Sequence, residues 1–516
     1  MSHFPSRIDR PDIRLCKPLF ADVFPTSLIE QVRFWGLCFV LVLAASIVKA
    51  DNTVVVSSSE TFGTWEGWGT SLCWWANQFG DRDDMADILF TQNDVKWDGH
   101  RLPGLGLNIV RYNLGGSGPG MTASPKNPPF KQIEAFWLDW KSRDPKSQNF
   151  DWSRDAKQRT MLTKAKERGA DRFELFVNSP VWWMCNNHNT SGANDGRDNL
   201  QNWNYTQFAA SIAITVKQAA DDWGIPFQSV APFNEPSANW WKSDGTQEGC
   251  HFEIGTQQKV IKHLRAELNQ RGLNKTKITA SDENSVDEAI KSLQSLDAGS
   301  RKMVEQINVH GYAGLEAYRG PNRGYLSKLA LGKTLWVSEY GEADGSGRTL
   351  MDSIVRDFTE LHPTGWVYWQ AFDSGGWGLI QSNPGDNWVG PANPKFFVKA
   401  QFTRHIRPGM TILSTNAKNS IAAFDPASKK TVIVTINLDN NRQRFNYDLS
   451  QFRATNPKVT RWITNTTGTT DYAKDDELKI NGQKIATELP ATSIETLEIE
   501  GTEPINPLNA GKQKKK

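Results

Sequence analysis

Along residues 66–372, apolar positions fall into short β-rich runs separated by longer stretches in which apolar side chains recur every three or four positions. The first pattern is that of buried strands and the second that of amphipathic helices. Eight such runs are visible: Glu66–Trp75, Leu107–Gly115, Phe173–Trp183, Ser229–Pro236, Lys277–Ser285, Ile307–Tyr312, Thr334–Gly341 and Gly365–Phe372. Between them lie candidate helices such as Thr206–Asp222 and Thr256–Arg271. Eight strands alternating with helices predict an α/β fold, a parallel (β/α)8 TIM barrel over residues 63–405.

From about Gly409 the texture changes to short alternating strands, such as Thr431–Leu438 and Ser493–Ile499, broken by Asn, Gly, Lys and Asp turns. This predicts an all-β sandwich over residues 406–505. A strand within residues 51–62 precedes the barrel with no local partner, so it is expected to join that sandwich, which is then built from both chain ends. No low-complexity linker separates the parts, and rigid packing is expected.

At the N-terminus, Phe34–Val48 is a 15-residue apolar run between Arg33 and Lys49. It is shorter than the roughly 20 residues a membrane-spanning helix needs. Val48 and Ala50 supply the small residues of a peptidase site, so residues 1–50 read as an extension and signal segment that is removed, giving a secreted, extracellular protein. Removal leaves equal numbers of basic and acidic residues. Such a balance argues against nucleic acid as partner. Residues 506–516, ending in Lys514–Lys516, read as a frayed basic tail. A monomer without stable membrane association is expected. Cys73, Cys185 and Cys250 remain after cleavage; an odd count in an oxidising compartment suggests one disulfide, assigned here to Cys185 and Cys250, and one buried thiol. Sequons at Asn189, Asn204, Asn274 and Asn465 fit a glycoprotein.

Catalytic groups of such barrels sit at the C-terminal ends of the strands. Two glutamates are placed there: Glu235, ending the fourth run in Asn234-Glu235-Pro236, and Glu339, ending the seventh in Ser338-Glu339-Tyr340. Strands four and seven can bring their carboxyls together over the barrel mouth. Hydrolysis of a glycosidic bond needs such a pair, one to protonate the leaving oxygen and one to attack or to activate water. A separation of about 5–5.5 Å implies retention of configuration and ~6.5–9.5 Å inversion. Glu342 and Asp344 follow Gly341 and read as solvated loop residues, and Glu283 as a hydrogen-bonding group. No second His or acidic residue stands at metal-like spacing to His310, so neither a metal nor a cofactor is expected.

Of the 21 Trp, eight fall at or just past strand ends: Trp74, Trp75, Trp182, Trp183, Trp240, Trp241, Trp369 and Trp377. A flat apolar ring there can stack on a sugar, and about half are expected to do so. Trp75, Trp182, Trp183 and Trp369 are assigned to substrate, with Trp369 as the floor under the scissile sugar.

The ordered set of motifs resembles glycoside hydrolase family 30. It comprises Gly63-Thr64-Trp65-Glu66-Gly67-Trp68-Gly69, Ile109-Val110-Arg111-Tyr112-Asn113, Ser179-Pro180, Asn234-Glu235-Pro236, His310-Gly311-Tyr312, and Gln401-Phe402 running to Arg407-Pro408-Gly409. The resemblance implies a retaining mechanism with Glu235 as acid/base and Glu339 as nucleophile. It also implies that Asn234 contacts the sugar 2-OH, that Arg111 and Tyr312 lie against Glu339 and lower its pKa, and that His310 lies in the substrate site. Trp240 and Trp241 are expected to shield Glu235 and raise its pKa. Within that family the chain is most similar to fungal enzymes that cut β-1,6-galactan within the chain, through Cys73-Trp74-Trp75-Ala76 and Asn234 to Trp241 continuing in Gln247 to Phe252. A β-1,6-glucanase or xylanase of the family, or a carbohydrate-binding protein without catalysis, are the alternatives.

Overall fold

The structure is a computed structural model that describes residues 52–312, 322–476, 478–506 and 508. The expected leader, residues 1–50, and Lys514–Lys516 lie outside the described residues. Among the described residues no helix is long and apolar enough to cross a membrane.

Eight parallel strands close into a barrel: Gly67–Ser71, Ile109–Asn113, Arg172–Phe176, Ser229–Ala231, Lys277–Glu283, Val304–His310, Thr334–Glu339 and Gly365–Gln370. Each overlaps one of the eight β-rich runs, with Arg172–Phe176 and Val304–His310 starting before theirs. The strands are almost wholly buried, because the interior is filled by side chains and the outer face is covered by helices such as Tyr205–Asp221 and Ile254–Gln270. The fourth strand stops at Ala231, earlier than the sequence pattern implies, because Pro232 has no N–H to donate to its neighbour. Glu235 is therefore in the loop beyond the strand, where its N–H donates to the Asp282 carbonyl at 2.8 Å.

Register breaks at the strand ends shape the barrel mouth. Pairing of the fifth and sixth strands slips between Ser281 and Glu283, and pairing of the sixth and seventh slips between Val337 and Glu339. A bulge of this kind re-aims a side chain at the strand end. Asp282 sits in the first break with φ +57°, a left-handed conformation that a non-glycine residue adopts only where its surroundings hold it there.

The all-β part is a single curled sheet of nine strands rather than two separate layers. Asn52–Thr64 is long enough to pair along both edges, antiparallel to Thr411–Thr415 and parallel to Gln443–Asp448, and so joins what would otherwise be two sheets. Val54, Phe424, Ile433, Phe445, Tyr447 and Leu497 fill the space the curl encloses. The helix Pro394–Thr403 seats the barrel on this sheet, with the Gln401 side chain bonded to Thr464 and Thr496.

On the same helix, Lys399 is fully buried with no hydrogen-bond partner for its amine, which lies 3.7 Å from the centre of the Trp366 ring and 4.4 Å from that of Trp68. Burial drives its pKa well below the usual lysine range. The two rings offset only part of the cost of stripping water from the ammonium. Lys399→Met, which keeps the volume, is therefore expected to stabilise the fold by about 1–3 kcal/mol. A depressed lysine pKa means that the unfolded chain binds the extra proton between the folded pKa and about 10.4, so native stability rises with pH across that window. The gain in melting temperature should accordingly be full at neutral pH and shrink toward pH 10; an unchanged or lowered melting point at pH 7 would contradict this account.

Candidate active site

The barrel mouth is built around Arg111. Its guanidinium is fully buried on the face of Phe176, 3.9 Å from the ring centre. It donates from Nη1 to Glu339 Oε2 at 2.6 Å, from Nη2 to Asp282 Oδ2 at 2.6 Å and from Nε to Glu174 Oε1 at 3.3 Å. Arg111 pairs directly with Glu174 across the second and third strands, and with Ser71 across the first and second. Glu174 is satisfied further by Ser229, Gln306 and Asn308. A planar fork of donors can hold three carboxylates at once, which a lysine cannot.

His310 ends the sixth strand on the other side of Glu339. Its Nδ1 lies 3.1 Å from Glu235 Oε1 and 3.4 Å from Glu339 Oε1, and its Nε2 lies 3.2 Å from Asp282 Oδ1. Asn284 donates to Glu235 Oε1 at 2.9 Å, and the Tyr312 phenol bonds Glu339. Carboxylate oxygens of Glu235 and Glu339 come within 4.8 Å of one another, with His310 in the same cluster.

Electrostatics follow from burial opposed by these pairs. Burial favours the neutral forms, yet Arg111 and His310 bring Asp282 down to about 2. Burial alone would also depress His310, but Glu339 and Asp282 outweigh it and push the imidazole up to about 10. Glu339 itself is raised by burial, with His310 and Arg111 pulling against that and Glu235 adding to it. The expected lowering of Glu339 by Arg111 and Tyr312 is thus corrected: Arg111 acts in the expected direction, but loss of solvent outweighs it.

Over this cluster opens a cleft of ≈ 470 Å³ whose lining includes Asn234, Glu235, Asn284, Tyr312, Glu339 and four tryptophans, Trp240, Trp241, Trp369 and Trp377. Trp240 is 51% exposed and Trp377 39%, so each presents a ring face to solvent. They come from the loops after the fourth and eighth strands, on opposite sides of the barrel. Trp241 lies flat against Gly249, where any Cβ would fall 2.1 Å from its ring, and donates from Nε1 to the Glu235 carbonyl. Asn234 Oδ1 is buried without a partner at the cleft wall.

The model described as O-glycosyl hydrolase family 30 matches residues 51–309. Across 472 residues the chain is 46% identical to an endo-beta-1,6-galactanase of Hypocrea rufa, covering 89% of this chain and 97% of that protein. The chain belongs to glycoside hydrolase family 30. An exo-beta-1,6-galactobiohydrolase of Bifidobacterium longum is 24% identical, over 73% of this chain and 30% of that protein. Among solved structures, the catalytic domain of a family 30 xylanase C from Talaromyces cellulolyticus superposes with a TM-score of 0.65 at 20% identity, covering 87% of this chain and all of that one. An endo-beta1,6-glucanase does so with a TM-score of 0.61 at 16% identity, over 86% and 93% of the two chains.

Within this family 30 chain, several expected site residues lie away from the cleft. Trp75 is fully buried, donates to the Ser71 carbonyl and packs on Phe372; Trp183 is buried edge-on against Trp137. Trp182 is wedged against Gly118 and Gly120 and also stands outside the cleft lining. A tryptophan just past a strand end can turn down into the barrel top as readily as out, and here the loops above these three cover them. Trp369 does line the cleft, held edge-on by Trp74 and Phe176. Arg111 and His310 are fully buried beneath the cleft floor. The expected Cys185–Cys250 disulfide is absent: both are free and buried, as is Cys73. The Cys185 thiol turns back to the Pro180 and Val181 carbonyls and that of Cys250 to the His251 carbonyl. Glu342 pairs with buried Lys395, and Asp344 caps the start of the following helix, so neither joins the cluster. Glu283 is tied to Ser237 and Ser292. Asp282, Glu174 and Asn284 carry no sequence signal of their own that marks them as site residues; two of the three flank Glu283 in a visible Asp-Glu-Asn run, and only the bulge turns Asp282 inward.

Proposed function

We propose that this protein is a retaining endo-glycosidase acting on β-1,6-galactan, with Glu339 as nucleophile and Glu235 as acid/base. The observation that carries the reading is the approach of the two carboxyls within 4.8 Å, in the range of direct attack and too close for an intervening water. As the acid, Glu235 carries a proton in the reactive complex. Glu235 gives that proton to the departing glycosidic oxygen while Glu339, held by Arg111, His310 and Tyr312, bonds to the anomeric carbon. The freed Glu235 carboxylate then takes a proton from water, whose oxygen displaces Glu339 and restores the configuration. Asn234, with an unpaired buried oxygen at the wall, is suited to the sugar 2-OH, and Trp369 to the ring face. Identity to the Hypocrea rufa galactanase supports galactan as the substrate.

The test is to incubate the protein with β-1,6-galactan, β-1,6-glucan and xylan, and follow the anomer first released by proton NMR. Short β-1,6-linked galacto-oligosaccharides released first as the β-anomer are expected; cleavage of xylan alone, or first release of the α-anomer, would overturn the reading.

An open cleft walled by Trp240 and Trp377 on either side of the glutamates supports action within a chain. We also propose secretion, which makes the sequons informative. Asn189 and Asn204 are buried, with their amides bonded to the Ser243 carbonyl and to Gln201, and the Asn465 amide is bonded to Thr469. Asn274 is exposed in the loop before the fifth strand, on the barrel face opposite the cleft. Glycan on Asn274 and none on Asn189 or Asn204 is the expected result of peptide mapping after secretion from a eukaryotic host. Glycan on Asn189 would contradict the packing of its side chain.

A further inference from the structure

His310 stands between carboxylates on both sides. Nδ1 faces Glu235 and Glu339, and Nε2 faces Asp282 at 3.2 Å, close enough for charge attraction although outside good hydrogen-bond alignment. A neutral imidazole carries a lone pair on one of its two nitrogens. A lone pair on Nε2 would point at the Asp282 carboxylate, and one on Nδ1 would face the carboxylate of Glu339 as well as Glu235. The doubly protonated ring satisfies both sides at once, donating upward to the reacting pair and facing a permanent negative charge below.

That charge is Asp282. It is 1% exposed, and its two oxygens are fully engaged: Oδ2 accepts from Arg111 at 2.6 Å, and Oδ1 accepts from Ser338 Oγ at 2.5 Å while facing His310. It reaches this position only because the strand bulges at residue 282. The charged and titratable groups around His310 are Glu235 from the fourth-strand loop, Asp282 from the fifth strand, Tyr312 beyond its own strand and Glu339 from the seventh, with Arg111 across the barrel. Among these, Asp282 touches both cations and neither lines the cleft nor takes part in either displacement step.

Resting on the reading of Glu235 and Glu339 as the reacting pair, we propose that Asp282 is a positioning residue that keeps His310 a charged donor to Glu235 and Glu339, holding the two carboxyls in register for attack. It acts through His310 and Arg111 and does not touch substrate. Burial with Asp282 and Glu339 as neighbours, which raises the imidazole to about 10, agrees with the geometry. Across the acid and neutral range the ring then stays charged, and activity is insulated from a histidine titration.

The test has two arms. In Asp282→Asn, kcat on β-1,6-galactan should fall about 100-fold with KM within a factor of three, the cost of a small misplacement. Its kcat/KM profile should gain an alkaline ionisation near neutrality, where a histidine lacking this partner titrates. Asp282→Asn combined with His310→Gln should lose no more than His310→Gln alone. Glu174→Gln removes an equally buried carboxylate from Arg111 without touching His310, and should lower the melting point without adding that ionisation. Additive losses, or an unshifted pH profile in folded Asp282→Asn, would reduce Asp282 to a structural role and overturn the proposal. In the second arm, wild-type enzyme labelled with 15N-histidine is examined at pH 7, with His310→Gln for assignment. Both ring nitrogens should carry protons; a neutral tautomer would overturn the proposal even where Asp282→Asn does not fold. Loss of the galactanase reading would appear separately, as absence of β-1,6-galactan cleavage by wild type.

Discussion

Glu339→Ala is expected to lower kcat on β-1,6-galactan by at least about 10⁴-fold, or roughly 5.5 kcal/mol of barrier, with the fold intact. In the proposed mechanism its carboxylate forms the glycosyl–enzyme bond, and Asp282 and Glu174, locked on Arg111 below the floor, are not placed to replace it. Glu342 is held by Lys395. The matching Glu235→Ala variant should also fail on galactan, but should keep forming the glycosyl–enzyme from a substrate whose leaving group needs no proton. Small anions separate the two roles. Azide added to Glu339→Ala occupies the space of the lost carboxylate and attacks from its side, giving an α-glycosyl azide. In Glu235→Ala, azide attacks the glycosyl–enzyme from the opposite side and gives the β-glycosyl azide. The same anomer from both variants, or substantial residual galactan turnover in Glu339→Ala, would exclude the assigned roles.

The second large effect is expected at Arg111. Its side chain is the common cation of three buried carboxyls, so Arg111→Met leaves Glu174, Asp282 and Glu339 without it, and a fold destabilised by about 3–5 kcal/mol is expected. Arg111→Lys is the more informative change. One ammonium cannot reproduce three directed donors, so the charge is retained while Asp282 or Glu339 loses its partner. Because Arg111 is one of the two influences holding the raised Glu339 in check, its loss moves the Glu339 carboxyl further up. The sign is then fixed: the nucleophile is protonated at a higher pH than before, so the acid limb of kcat/KM moves to higher pH and activity below it falls. A melting curve and a pH profile of Arg111→Lys check both parts, and an acid limb moving downward would contradict the electrostatic account.

Much of the architecture was legible along the chain because a barrel strand must be apolar on both faces and must stop where its loop begins. Each of the eight runs therefore marked its own strand, and Glu339 at a strand end and Glu235 just beyond one stood out as acids in an otherwise apolar context. Alternation also separated the C-terminal all-β region from the barrel. It did not reveal that this region is one curled sheet, since that depends on Asn52–Thr64 pairing along both its edges.

What the sequence by itself determined is thus the order and identity of the elements and which two carboxyls meet at the barrel mouth, because local periodicity and motif chemistry act over neighbouring residues. Tertiary structure alone decided the direction in which side chains point. Trp75 and Trp183 turn into the core while Trp240 and Trp377 face the cleft, and the Cys185 and Cys250 thiols are free and each bonds a backbone carbonyl. It alone turned Asp282 under His310, through a slip in strand register that leaves no mark on the hydrophobic pattern. The balance of charge around Glu339 was decided in the same way, because burial and the distance to each neighbour are set by strands that lie far apart in sequence.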